Sequence, residues 1–173
     1  MSLGLYLHIP YCFSKCRYCD FYSAPGQRGV PSAYVDALLR ELSRFAPDAP
    51  LHPDTLYFGG GTPSLLSPAD AARLIEAAAP LPGAEITLEA NPETVTEESL
   101  RAFREAGVNR ISFGVQSARD SQLKTLGRPH TARQARAAFA AAQRAGFTNI
   151  SGDIMLALPH YTQAEFDETL ELI

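Results

Sequence analysis

Apolar stretches of strand length alternate with helical periodicity along the whole chain, and that alternation limits the fold more than any other feature. Gly4–Ile9, Thr55–Phe58, Glu85–Ala90, Arg110–Val115 and Asn149–Leu158 read as strands. Ser32–Phe45, Ser67–Ala79, Thr96–Ala106, Thr131–Ala145 and Thr162–Ile173 read as helices. The helix ends have physical reasons. Ser67-Pro68 offers an N-cap followed by a proline whose missing N–H costs nothing there. Thr162 and Glu165 form a capping box. Gly107 and Gly146 stand where helices stop, because glycine takes the left-handed C′ conformation freely. Repeated βα units predict a parallel sheet with right-handed crossovers. Periodicity leaves open whether the sheet closes into a barrel. The chain ends at Ile173 inside an apparent helix, without a C-cap or a following strand, so a truncated fragment is expected. Pro47–Pro53 reads as a stiff loop, and no linker or short-period repeat interrupts the pattern.

The chain has 173 residues, enough for one domain with a hydrophobic core. Its net charge of -4 argues against nonspecific nucleic-acid binding, which draws on basic patches. No segment approaches the ~20 apolar residues of a membrane span. Met1–Leu7 shows no basic stretch leading into an apolar run, so no secretory signal is read and the cytoplasm is the expected compartment.

The three cysteines all lie in Cys12-Phe-Ser-Lys-Cys16-Arg-Tyr-Cys19, directly after the first strand. An odd number excludes a closed disulfide set, and in a reducing compartment such clusters bind metal or do redox chemistry. Iron–sulfur clusters are held by thiolates. Three of them, converging from one short loop, hold three irons of a [4Fe-4S] cube and leave the fourth open to a chelating ligand. Lys15 and Arg17 either offset the thiolate charge or are solvated. Two other readings stand beside this one. Three inert buried cysteines are disfavoured by the tight spacing among polar neighbours. Zinc with His8 or Asp20 as fourth ligand lacks the usual second C-x2-C pair.

The stretch Tyr6-Leu-His8-Ile-Pro10-Tyr-Cys12-Phe-Ser-Lys-Cys16-Arg-Tyr18-Cys19-Asp20-Phe21 strongly resembles the start of radical S-adenosylmethionine (radical SAM) proteins. More narrowly, it resembles the branch of oxygen-independent coproporphyrinogen III oxidases and HemW haem chaperones. Gly59-Gly60-Gly61-Thr62-Pro63, Glu89-Ala-Asn91-Pro92, Gly114-Val-Gln116-Ser117 and Gly152-Asp153-Ile-Met155 continue the resemblance in the family's order. It implies a partial (β/α)6 barrel, α/β in class, of which residues 1–173 would be an incomplete radical SAM core lacking the family's C-terminal part. Function in such barrels sits at the C-terminal ends of the strands. The polar signatures follow or end the apolar strands in that way.

The resemblance implies cluster binding by Cys12, Cys16 and Cys19, and S-adenosyl-L-methionine contacts from Gly60, Gly61 and Thr62. It gives Tyr6 and Tyr18 places near the cofactor, and assigns Glu89, Gln116, Arg128 and Asp153 to one or two cofactor molecules. His8 reads as structural and His130 as a loop residue. The implied chemistry is one-electron cleavage of S-adenosylmethionine to a 5′-deoxyadenosyl radical.

Two functions follow from the resemblance. One is a haem chaperone that delivers haem to apo-proteins. The other is the oxidase, decarboxylating a propionate of coproporphyrinogen. Oxidases commonly carry a further cysteine where this chain has Phe21, which favours the chaperone. A radical SAM enzyme with a non-porphyrin substrate is the third class. A reductant protein is the further expected partner.

Overall fold

The computed structural model of the chain describes residues 2–46, 50–158 and 160–173. Residues 47–49 of the expected stiff loop lie outside the described residues. Strands β1 (Gly4–Ile9), β2 (Thr55–Gly60), β3 (Glu85–Ala90), β4 (Arg110–Gln116) and β5 (Asn149–Ile154) form one parallel sheet in the order β1-β2-β3-β4-β5. Helices α1 (Ser32–Phe45), α2 (Pro68–Ala78) and α3 (Glu97–Glu105) follow the first three strands. Both α4 (Asp120–Leu126) and α5 (Ala132–Arg144) lie between β4 and β5, and α6 (Gln163–Leu170) follows β5. Short 3-10 turns occupy Pro63–Leu65 and Pro92–Thr94. Sequential order with every pair parallel is what consecutive βα units produce. The result is the expected α/β architecture, five units of a partial barrel in an open sheet.

The caps work as the sequence suggests. Ser67 accepts from the Asp70 N–H, and Thr162 and Glu165 satisfy each other's backbone donors. Gly107 and Gly146 adopt φ of 112° and 93° after α3 and α5. Three boundaries differ from the expectation by more than one residue, and β4 runs one residue further, to Gln116. β2 runs on to Gly60, because Gly59 and Gly60 stay in register with His8 and Ile9. β5 stops at Ile154, and Ala157 turns left-handed at φ 55°, which breaks an extended run. α6 ends at Leu170. Helix α4 is an addition: it is only 7 residues long and has no side-chain N-cap.

The two faces of the sheet differ in chemistry, and this difference creates the site. Leu7, Ile9, Leu56, Phe58, Ile86, Leu88, Ile111, Phe113 and Val115 point to the helices and form the core. Their alternating neighbours are polar: Tyr6 and His8 on β1, Tyr57 on β2, Thr87 and Glu89 on β3, Arg110 and Ser112 on β4, Ser151 and Asp153 on β5. The register sets them side by side, with Tyr6 against Tyr57, Glu89 against Ser112 and Ser112 against Ser151. Parallel strands buried on both faces are usually apolar throughout. Here the period of two puts oil on the helix side and hydrogen-bonding groups on the other.

Candidate functional site

A cavity of about 290 Å³ opens at the C-terminal ends of the strands. Its lining includes Cys12, Cys16, Tyr18, Cys19, Gly60, Gly61, Thr62, Glu89, Gln116, Arg128 and Asp153. Every site residue expected from the sequence is therefore in one place except Tyr6. Tyr6 stands on the same sheet face but outside the lining, its ring stacked on Tyr57 and its hydroxyl 3.1 Å from His8 Nδ1.

Backbone hydrogen bonds close the cysteine loop at both ends. Cys12 N–H donates to the Ala24 carbonyl at 3.0 Å, and Gln27 N–H donates to the Cys12 carbonyl at 3.0 Å. A parallel bridge joins Tyr11 to Ala24. Arg17 N–H donates to the Leu126 carbonyl, so α4 anchors the middle of the loop. All three cysteines are free thiols; Cys12 is buried, and Cys16 and Cys19 are half-buried. The Thr62 hydroxyl donates to Cys12 Sγ at 3.6 Å, and Arg128 Nη1 donates to Cys16 Sγ at 3.4 Å. Lys15 and Arg17 donate to the carbonyls of Phe21 and Thr125. The cation set against a cysteine sulfur is Arg128, from the other side of the cavity.

Each glycine of the run is sterically confined, Gly59 by the Tyr6 and Tyr57 rings and the next two by β1 and the cysteine loop. A Cβ on Gly60, whose φ is 118°, would stand 2.6 Å from the His8 ring. A Cβ on Gly61 would stand 2.7 Å from the Tyr11 carbonyl oxygen and 3.0 Å from Cys12 Sγ. Glycine thus brings the β2 backbone against the cysteine loop. Gly60 N–H and the Tyr57 hydroxyl both donate to Glu89, at 3.1 and 2.8 Å. Burial pushes the Glu89 carboxyl up from its usual range, against the pull of these two donors. Burial, then the bond to Glu89, raises the Tyr57 phenol strongly. Tyr18 is pushed up to about 12, by burial first, with Arg128 opposing.

Arg128 ties the far wall. Its Nη2 donates to Asn91 Oδ1 and to the Gly114 carbonyl, both at 2.6 Å. Burial works against its charge, but Tyr18, Cys16 and Glu93 facing it outweigh that and move its pKa up. Asn91 in turn donates to Thr62 Oγ1 at 3.1 Å. Gln116 ends β4 with φ at 67°, and Asp153 accepts from Ser112 at 3.5 Å. Asn91, Ser112 and Gly114 also line the cavity. Sequence reasoning quoted Asn91 only as part of a motif; the signal that would have found it is the Asn-Pro pair directly after β3. His130 is a loop residue, as expected, and it is buried.

The residues fit an iron–sulfur cluster and a zwitterionic cofactor. Three free thiols surround one cavity, glycine backbone lies open beside them, and a carboxylate and a guanidinium flank the space. Arg128 Nε is a buried donor with no acceptor among the described residues. No three His, Cys, Asp or Glu side chains among the described residues are gathered closely enough to hold one metal ion.

The family model described as the Radical SAM superfamily matches residues 6–173. Heme chaperone HemW of Escherichia coli (strain K12) is 44% identical over 169 residues, covering 94% of this chain and 45% of that protein. The Bos taurus protein named radical S-adenosyl methionine domain-containing protein 1, mitochondrial, is 42% identical over 90% of this chain and 36% of its own length. Among solved structures, coproporphyrinogen III oxidase (HemN) from Escherichia coli superposes with a TM-score of 0.86 at 31% identity, covering 98% of this chain and 41% of that one. The cobalamin-dependent radical enzyme OxsB shares the fold alone, at 17% identity and a TM-score of 0.65. The chain spans less than half the length of these curated relatives, 36% and 45%.

Proposed function

The chain belongs to the radical SAM superfamily, and on that premise we propose that it acts as a HemW-like haem chaperone whose radical SAM core is residues 1–173. The observation that carries the reading is convergence: the three thiols and the other expected cofactor contacts, Tyr6 apart, line one cavity. Cys12, Cys16 and Cys19 hold the [4Fe-4S] cluster in this reading. Gly60, Gly61 and Thr62 offer backbone and hydroxyl groups to S-adenosylmethionine. Glu89 binds its ammonium group, with Tyr57 and Gly60 fixing the carboxylate in place. Tyr18, Gln116, Arg128 and Asp153 complete the contacts, and Tyr6 acts from the sheet face beside them. When bound, the cluster supplies one-electron reducing chemistry. The protein's part is to orient the cofactor and keep water from it.

Haem is the proposed cargo, haem-accepting apo-proteins and a reductant protein the partners, and the cytoplasm the compartment. Support comes from the relatives named heme chaperone HemW, at 35% to 44% identity, and from Phe21 in place of a fourth cysteine. No described helix is long and apolar enough to cross a membrane. A second reading, an oxygen-independent coproporphyrinogen III oxidase, is favoured by the structural likeness to HemN.

Anaerobic reconstitution with iron and sulfide tests the core. About four irons per chain, lost in Cys16→Ala, is the expected result. Bare thiols or stoichiometric zinc would overturn it. Haem titration and product formation from coproporphyrinogen then separate the readings: haem binding without decarboxylation selects the chaperone.

A further inference from the structure

Two proline-centred tripeptides face each other behind the cavity wall: Asn91-Pro92-Glu93 after β3 and Arg128-Pro129-His130 between α4 and α5. Their side chains meet at both ends. At the cavity end, Arg128 Nη2 reaches Asn91 Oδ1 at 2.6 Å. At the buried end, His130 Nδ1 stands 3.2 Å from Glu93 Oε2. The second of these loops is also anchored on β4. The Gly114 carbonyl accepts from Arg128 and the Val115 carbonyl accepts from His130 Nε2, at 2.6 and 3.1 Å. Glycine at 114 leaves the room for this, since a Cβ there would come within 2.9 Å of both Arg128 and Asn91. Proline at the centre of each tripeptide fixes φ and limits slack between the two ends.

The proton count defines the buried end. A carbonyl only accepts, so His130 Nε2 carries a hydrogen. Nδ1 and Glu93 Oε2 then face each other. They lie off the line of a regular hydrogen bond, and neither has another hydrogen-bond partner among the described residues. The two atoms meet at 3.2 Å and tie the turn after β3 to the loop before α5.

We propose that the His130–Glu93 pair is a positioning unit that locks the two loops in register and so holds the Arg128 guanidinium against the Cys16 sulfur, where it raises the reduction potential of the bound cluster. Hydrogen bonds and positive charge at a cluster sulfur stabilise the more negative reduced state. Arg128 meets Cys16 by the Nη1 arm while the Nη2 arm is tied to Asn91 and Gly114. A slip between the tripeptides would swing the first arm away. The inference rests on the cluster reading above.

The test uses the full chain, reconstituted anaerobically, with the midpoint followed by spectroscopically monitored redox titration. Iron content and apo-chain melting are measured alongside. Arg128→Gln is expected to lower the midpoint by about 59 mV, a tenfold change for one electron. Glu93→Leu severs the pair and is expected to move the midpoint the same way by roughly threefold, about 28 mV. Glu93→Gln, whose amide still donates to Nδ1, restores the parent value. The Arg128→Gln/Glu93→Leu double variant shows no shift beyond Arg128→Gln. Glu93→Ala gives the same comparison should the Glu93→Leu chain fail to fold. A midpoint unmoved in Glu93→Leu and Glu93→Ala, failure of Glu93→Gln to restore it, or additive shifts in the double variant would overturn the inference while leaving the cluster reading intact. A parent chain that takes up no iron would overturn both.

Discussion

Replacing Gly61 by alanine tests how tightly the glycine run and the cysteine loop are fitted. The added Cβ would stand 2.7 Å from the Tyr11 carbonyl oxygen, 3.0 Å from the Ile9 carbonyl oxygen and 3.0 Å from Cys12 Sγ. Two of these are backbone atoms, so no flexible side-chain end can yield. Overpacking of this kind costs about 1–3 kcal/mol. The shift also strains two bonds that close the site, Gly61 N–H to the Ile9 carbonyl and Thr62 N–H to the Tyr11 carbonyl, each at 2.8 Å. Each contributes about 1 kcal/mol net. Loss of unfolded-chain entropy returns about 0.4–1 kcal/mol. The balance is a destabilisation of about 2–3 kcal/mol, or roughly 4–12 °C in melting temperature for a chain of this size. The control is Gly29→Ala, whose Cβ would find only the Leu65 carbonyl oxygen at an ordinary 3.9 Å. Circular dichroism melting of the apo chains reads the difference, and iron content after reconstitution reads displacement of Cys12. Equal melting temperatures for the two variants, with full iron in Gly61→Ala, would refute the steric argument.

Other outcomes follow from the same geometry. Phe58 is fully buried, so Phe58→Ala is expected to cost about 3–5 kcal/mol by denaturant titration, a large part of the ~5–15 kcal/mol that holds most domains. Gln116→Gly relieves a left-handed backbone that costs about 1–2 kcal/mol, against ~0.5–1 kcal/mol for glycine entropy; the chain should melt slightly higher while calorimetry shows weaker S-adenosylmethionine binding. Burial raises the Glu89 carboxyl, so the folded apo chain holds that proton to higher pH than the unfolded chain. Its contribution to stability is therefore present in acid and lost as pH rises from the ordinary carboxylate value through the raised one. Glu89→Gln should remove that downward slope from a plot of stability against pH, and an unchanged slope would contradict the assignment.

The strand and helix order was legible because each element carries its own signal. Thr55–Phe58 is apolar and bounded by turns, and Ser67-Pro68 announces α2. The cysteine loop and glycine run were legible by spacing. The two-faced character of the sheet was present in the letters too, as Leu-Tyr-Leu-His-Ile on β1 and Ile-Thr-Leu-Glu-Ala on β3. Reading these stretches simply as apolar runs passed over the alternation that makes the interior polar. What no local pattern carries is contact across distance. Arg128 meets Cys16 over a separation of 112 residues, and His130 is buried by β4 and the turn after β3 rather than by its own neighbours. Helix α4 is too short for periodicity to register, and its C-terminal Gly127 was the one available sign.

The bridge between Tyr11 and Ala24 limits the freedom of the loop that carries the thiols. It knots the base of the segment that bears all three sulfurs, with Cys12 at its mouth and Cys16 and Cys19 inside the ring. The entropy of drawing that ring shut is spent during folding, and a closed loop has far fewer shapes left to lose. A group held by these three sulfurs would thus find them already gathered on one short ring, with little chain freedom left to lose on binding.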